Sequence, residues 1–312
     1  MSLEQEEETQ HGLLLGSSDA VPAFIEPNVR FWITVRQSFI QRLLQWTELL
    51  DPTNVFISVI QEAWKQSLAT VHPDSSNLIP KFFRPAAFLP FMAPTVFLSM
   101  MPPKGIKSVI LPQVCLYTYM TAFNSINGNR SYTCKPVERS LLMAGAVASS
   151  TFLGVVPHFI QMKYGLTNPW IKRLLPVVFL VQANGMNVYM SRNIESIKGI
   201  AVMDKEGNVL GHSPIAGIKA VRETAASRTV LFGTSALIPE VFTYFFKRTQ
   251  FFLKNPGSLW ILKLSCTVLT MGLMAPVSFS IFPQIGRIQC CSHEEKFQPS
   301  TEETEIFYHR GV

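Results

Sequence analysis

The most chemically suggestive string in the chain is His72-Pro73-Asp74-Ser75, which sets an imidazole and a carboxylate on either side of a proline. Such a pair offers proton-transfer chemistry, a helix or loop cap through Asp74, or a contact for a partner. Further along, Asn184 and Asn187 stand three residues apart, so on a helix their amides share a face. Asn129-Arg130 and Glu240 are the other polar groups set in or beside apolar sequence. Polar side chains in such places are costly without partners, so the amides mark either a substrate path or interhelical hydrogen bonds. Glu240 either serves a site, lines a wet cavity or pairs with a basic residue.

Other catalytic chemistry has no residues to carry it. The chain lacks a Gly-rich phosphate loop, a His-Glu-x-x-His pair and a Gly-x-Ser-x-Gly elbow, so it does not read as an enzyme. Cys115, Cys134, Cys266, Cys290 and Cys291 have no ligand spacing for zinc or an iron-sulfur cluster, and neither metal nor cofactor is expected. Asn129-Arg130-Ser131 matches a glycosylation acceptor, a pattern short enough to arise by chance. His-Pro-Asp also occurs in the loop of J-domains, but those need a further helix after it, and here Pro80, Pro85 and an apolar stretch follow.

The elements that must position these residues are set by six apolar stretches, at 88–101, 108–123, 141–160, 174–190, 229–246 and 259–282. A bilayer core needs about 20 such residues per helix, and backbone in lipid must satisfy its own hydrogen bonds. The chain, 47% hydrophobic and 15% charged, therefore reads as all-α, a polytopic transmembrane helical bundle. Five stretches read as spans; 88–101 is short and interrupted by Pro90 and Pro94, which leaves a broken, re-entrant or interfacial helix. Lys and Arg flank both ends of most spans, so the positive-inside rule does not choose an orientation. In a soluble chain the net charge of +6 would raise nucleic acid as a partner; here the bases sit at span ends, so the expected partner is the lipid bilayer, with no nucleic acid.

Three regions follow: an N-terminal extramembrane region, 1–86; the bundle, 87–283, with a polar loop at 192–228; and a C-terminal tail, 284–312. The acidic run at 4–8 argues against a cleaved mitochondrial presequence, since those are Arg-rich and acid-poor. Trp32, Phe39, Leu43 and Trp46 recur at spacings of an amphipathic helix, lying either on the membrane surface or against the bundle. Asp204-Lys205-Glu206-Gly207-Asn208 between apolar residues predicts a small hairpin. Ala144 and Ala148, Gly145 and Ser149, and Ser150 and Gly154 form small-xxx-small pairs, which serve close helix packing or a docking face.

His72-Pro73-Asp74-Ser75, placed shortly before the first apolar stretch, resembles the His-Pro-Asp-Thr signature of the sideroflexins, multi-pass proteins of the mitochondrial inner membrane. Further blocks resemble the family in the same order: Asp51-Pro52, Ala183-Asn184-Gly185-Met186-Asn187, Gly199-Ile200-Ala201-Val202 running into Glu206-Gly207-Asn208, Ile238-Pro239, and Phe282-Pro283-Gln284. The resemblance covers nearly the whole chain and implies a mitochondrial inner-membrane location without a cleaved presequence. Family members that carry serine look to have an Asn-Gln-Ser-Phe-Asn run at the end of the second stretch. This chain keeps Asn129-Arg130 there but loses the register of the earlier amides between Tyr119 and Asn127. Glu240 replaces a family Pro, and the segment between Phe56 and His72 is shorter than the family norm. These departures resemble a divergent branch of the family, which implies a role in assembly of respiratory complex I, with its assembly proteins or subunits as partners. The alternative is a transporter of a small neutral amino acid, with Asn129, Arg130, Asn184, Asn187 and Glu240 as its candidate polar site.

Overall fold

The computed structural model describes residues 37–55, 78–103, 105–130, 135–289 and 305–311. His72, Pro73, Asp74 and Ser75, the acidic run, and Trp32 lie outside the described residues. The helices are α1 (Phe39–Leu49), α2 (Pro85–Ser99), α3 (Ile106–Asn127), α4 (Pro136–Tyr164), α5 (Pro169–Ser191), α6 (Asn193–Lys198), α7 (Pro214–Phe246), α8 (Gln250–Lys254) and α9 (Ser258–Ser280). The strands are β1 (Ile200–Met203), β2 (Val209–Ser213), β3 (Ile285–Gln289) and β4 (Glu305–His309).

Among the described residues four helices, α4, α5, α7 and α9, are long and apolar enough to cross a membrane. Large apolar side chains such as Leu141, Phe152, Val178, Leu237, Leu269 and Leu273 point outward from them, a surface suited to lipid. Four of the five expected spans are thus supported, and the fifth, α3, is not confirmed. Helix α3 has 22 residues but carries Gln113, Thr121, Asn124, Ser125 and Asn127, all buried against its neighbours. Its polarity faces inward, and composition alone does not mark it as a span. The Pro-interrupted stretch forms the continuous helix α2, 15 residues and so about 22 Å long, shorter than a bilayer core. Phe88, Met92 and Val96 of α2 are fully enclosed while Phe91 and Leu98 are exposed, so it lays one face against the bundle and turns the other outward.

Helices α2 to α5, α7 and α9 alternate in direction. The ends of α2, α4 and α7 meet the starts of α5 and α9 at one pole, where Met100, His158, Lys247, Pro169 and Leu259 share a cavity. At the other pole stands a four-stranded antiparallel sheet of order β2-β1-β4-β3. Helix α7 has 33 residues, about 50 Å, while a bilayer core is about 30 Å thick. Its first turns exceed a span, and Ala216 and Ala220 pack there with Ile200, Val202, Ile306 and Tyr308 of the sheet.

The sheet corrects two expectations. The region expected to be a polar loop, 192–228, holds α6, the hairpin and the start of α7, and the expected C-terminal tail supplies β3 and β4. The hairpin itself is as its turn residues predict. Asp204 accepts hydrogen bonds from the backbone N–H of Glu206 and Asn208, and Gly207 takes the positive φ of 86° that closes the turn. Burial opposes ionisation of Asp204, but these bonds prevail and hold its carboxyl below the usual range.

Of the two readings of the amphipathic segment, packing is the one realised over Phe39–Leu49. Ser38 and Gln41 form a capping box, Trp46 is buried against Phe279 with ring centroids 4.8 Å apart, and Arg42 Nε donates to the Ser280 carbonyl at 2.9 Å.

Among the small residues of α4, one pair makes the close contact. Ser150 and Gly154 are buried, whereas Ala144 and Ala148 are exposed. A Cβ on Gly154 would stand 2.9 Å from the Tyr117 ring, while one on Gly145 would meet nothing within 4 Å. Gly154→Ala is expected to lower the stability of the detergent-solubilised protein by about 1–3 kcal/mol through overpacking. Gly145→Ala should leave it unchanged or raise it by up to about 1 kcal/mol. Thermal unfolding followed by tryptophan fluorescence checks both; equal effects would refute this account of the α3–α4 contact.

Candidate functional site: buried polar clusters at the two poles of the bundle

Three amides lie close together near the sheet end of the bundle. Asn124 Nδ2 donates to Asn187 Oδ1 at 3.2 Å, and Asn187 Nδ2 donates to Thr121 Oγ1 at 2.7 Å and Ser150 Oγ at 3.3 Å. Helices α3, α4 and α5 are thereby tied by one side chain. Asn184 shares the face of Asn187, as its spacing predicts, but donates to the Leu180 carbonyl of its own helix at 2.8 Å. All three asparagines are fully buried, and the Oδ1 atoms of Asn124 and Asn184 have no protein partner.

One turn beyond, where α5 ends, Arg192 and Glu195 form a two-pronged ion pair. Nε meets Oε1 and Nη2 meets Oε2, each at 2.7 Å, with both side chains 1% exposed. Such a pair holds in a dry interior only when the remaining donors and acceptors are met as well. Arg192 Nη1 donates to Thr224 Oγ1 at 3.0 Å, Nη2 also donates to the Arg310 carbonyl at 2.6 Å, and Asn129 Nδ2 donates to Glu195 Oε2 at 2.9 Å. Thus Asn129 belongs to the ion pair and not to the amide cluster. Arg130, its neighbour, is half-buried at the same pole.

Two more guanidinium groups lie beside this pair. Arg228 of α7 is 1% exposed, and its guanidinium carbon sits 4.0 Å over the Phe279 ring, with Phe88 at 5.3 Å and Phe123 at 5.7 Å. Its Nε and Nη1 have no protein partner. Arg310 donates from Nη2 to the Phe279 carbonyl at 3.2 Å, and burial pushes its pKa down to about 10, with Glu223 opposing and Arg192 adding to that shift.

Glu240 is elsewhere. It lies six residues before the end of α7, at the pole away from the sheet, and of the readings left open for it the pairing with basic residues is realised. Oε2 meets Arg173 Nη1 at 3.0 Å, and Oε1 meets Lys263 Nζ. Arg173 and Asn184 are eleven residues apart on α5, or about 16 Å along its axis. The five candidate polar residues therefore do not form one site. Among the described residues no group of three His, Cys, Asp or Glu side chains could hold a metal ion.

Arg192, Glu195, Arg228 and Arg310 carry no mark in the sequence beyond their charge, and the reading of 192–228 as a polar loop removed the one signal that could have found them. Once α7 is seen to run from Pro214, Arg228 becomes a charge inside a long apolar helix, the usual signature of function or burial.

Fold and clusters together define a multi-pass helical membrane protein with charge buried at both poles. A family model described as Sideroflexins matches residues 58–312, and the chain belongs to that family. It is 81% identical to Sideroflexin-4 of Homo sapiens over 337 aligned positions, covering all of both chains. It is 37% identical to Sideroflexin-4 of Danio rerio over 92% of this chain and all of that one, and 26% identical to Sideroflexin-5 of Homo sapiens over 95% and 94%. No solved structure matches it.

The ion pair generates a test. Glu195→Gln leaves Arg192 buried without its counter-charge and is expected to cost about 3–5 kcal/mol, seen as loss of folded protein in detergent. Gly217 packs on the Glu195 backbone so closely that a Cβ would collide with its carbonyl, and Gly217→Ala should also lower the melting temperature. A Glu195→Gln protein as stable as the parent would show that the pair does not hold this pole together.

Proposed function

We propose that this sideroflexin resides in the mitochondrial inner membrane, is not an enzyme, and acts in assembly of respiratory complex I by holding subunits or assembly proteins. The observation that carries this reading is the use made of the amides. A carried amino acid would need fixed polar partners for its ammonium and carboxylate at membrane depth, because each unmet group costs several kcal/mol there. In this chain Asn187, with Asn124, Thr121 and Ser150, is spent on joining α3, α4 and α5. The amide of Asn187 in the fourth stretch, with Asn124 at the end of the second, thus supports helix packing. Similarity to Sideroflexin-4 proteins, far above that to Sideroflexin-5, supports assignment to the divergent branch.

A second reading, a carrier for a small neutral amino acid, has its own specific support. Arg228 keeps two buried N–H groups, and Asn124 and Asn184 each keep a buried carbonyl oxygen, without protein partners. Donors for a carboxylate and acceptors for an ammonium are thus both present.

Expression of the chain in cells lacking their own sideroflexins separates the two. The expected outcome is recovery of assembled complex I without recovery of mitochondrial serine uptake. Asn184→Ala with Asn187→Ala should reduce complex I only as far as it reduces abundance of the protein. Serine uptake restored to the level of a serine-carrying relative, or complex I left unrestored, would refute the assembly reading.

A further inference from the structure

The pole away from the sheet holds a cavity of about 470 Å³ between the ends of α2, α4 and α7 and the starts of α5 and α9. Lys172, Arg173, Lys247 and Lys263 line it, against a single carboxylate, Glu240. Glu240 neutralises one of the two cations it touches, Arg173 and Lys263, so positive charge remains in the cavity. Lys172 and Lys247 are exposed at its mouth and, among the described residues, have no carboxylate within ion-pairing distance. Two helix N-termini add to the field. Lys172 and Arg173 stand in the first turns of α5, and Leu259 and Trp260 in the first turn of α9, where the backbone dipoles are positive.

The surroundings indicate which anion such a cavity meets. All four helices suited to crossing a membrane have an end here, so the cavity lies at the level of the bilayer surface. Trp260 is 51% exposed, and the short helix α8 turns Phe251 and Leu253 outward at 58% and 62%. Aromatic and apolar side chains in that arrangement occupy the headgroup layer. Met100, Met101 and Leu259 give the cavity an apolar wall beside its charged one. A soluble phosphate would use only the charged wall, whereas a phospholipid would use both.

We propose that this cavity is a binding site for the phosphate headgroup of an acidic phospholipid, with Lys172, Arg173, Lys247 and Lys263 contacting the phosphate oxygens and Glu240 holding Arg173 and Lys263 in place. Basic pockets between transmembrane helices are suited to doubly charged headgroups such as that of cardiolipin.

The test uses the full chain in detergent, with cardiolipin, phosphatidylcholine or inorganic phosphate added at equal phosphorus. Cardiolipin is expected to raise the melting temperature and to remain on the protein in native mass spectra; the other two should do neither. Lys172→Gln with Lys247→Gln changes two exposed side chains and should melt like the parent without lipid. It should need about tenfold to thirtyfold more cardiolipin for the same shift, the loss expected for two cationic contacts. Lys205→Gln, in the hairpin at the opposite pole, should behave as the parent. Equal stabilisation by phosphatidylcholine, equal stabilisation by inorganic phosphate, or no difference between double variant and parent would each overturn the proposal. If the double variant does not fold, the parent decides alone: its cardiolipin shift must shrink as salt is raised, and a salt-independent shift overturns the proposal.

Discussion

The joint between membrane bundle and sheet depends on one buried ion pair. Removing two charges from water costs several kcal/mol per ion, and Arg192 and Glu195 recover this only through their two-pronged contact and the bonds that complete it. Those completing bonds come from three other places in the chain: Asn129 after α3, Thr224 on α7 and the Arg310 carbonyl after β4. Three glycines make the space. A Cβ on Gly128 would stand 2.8 Å from Glu195 Oε1, one on Gly311 would stand 2.7 Å from Arg192 Nη2, and one on Gly217 would strike the Glu195 backbone. The pair thus ties α3 and α7 to the segment that follows β4, beside the apolar packing of Ala216 and Ala220 on the sheet.

Charge elsewhere in the bundle follows the same constraint in a weaker form. Glu240, 6% exposed, is met by Arg173 and Lys263, and Lys263 also donates to the Met100 carbonyl at 2.7 Å, which closes the end of α2 onto α9. Between the poles the interior is largely apolar, with Leu116, Met120, Leu231, Phe232 and Met271 fully buried and the uncharged Ser235, Thr267 and Thr270 among them. Ion pairs fasten the helix ends, and packing fastens their middles. That division suits a bilayer, where a charge near a helix end reaches the interface and one at mid-depth does not.

What could be read from sequence follows from the range of each interaction. Apolar runs and Pro-flanked loops are local, so the helices of the bundle were legible, and so was the hairpin, whose turn lies within five residues. The length of α7 was not, because its first half carries Arg222, Glu223 and Arg228, which look like loop until Tyr308 of the sheet beside Glu223 and the aromatic rings over Arg228 are known. The pairing of β1 with β4 joins Val202 to Tyr308 across more than a hundred residues and leaves no periodic mark in either strand. Likewise the spacing of Asn184 and Asn187 gave their common face, but which of the two would bridge helices was set by Thr121 and Ser150 on other elements.

Arg228 is one of the buried groups, among the described residues, that packing alone does not account for. Its guanidinium is stacked on Phe279 and faced by Phe88 and Phe123, which compensates the charge in part, since a cation over an aromatic face gains about 2 kcal/mol when desolvated. Stacking uses the flat of the guanidinium and leaves its edge. Two N–H groups on that edge, Nε and Nη1, remain buried without protein acceptors, beside Phe123, whose neighbour Asn124 has a bare Oδ1. Arg310 differs only in part: its Nη2 donates to the Phe279 carbonyl, but its Nε and Nη1 are likewise buried without protein acceptors. The amide network closes around Asn187, while Arg228 and Arg310 keep buried N–H groups at the same pole without protein acceptors, so helix bridging does not use every polar group there.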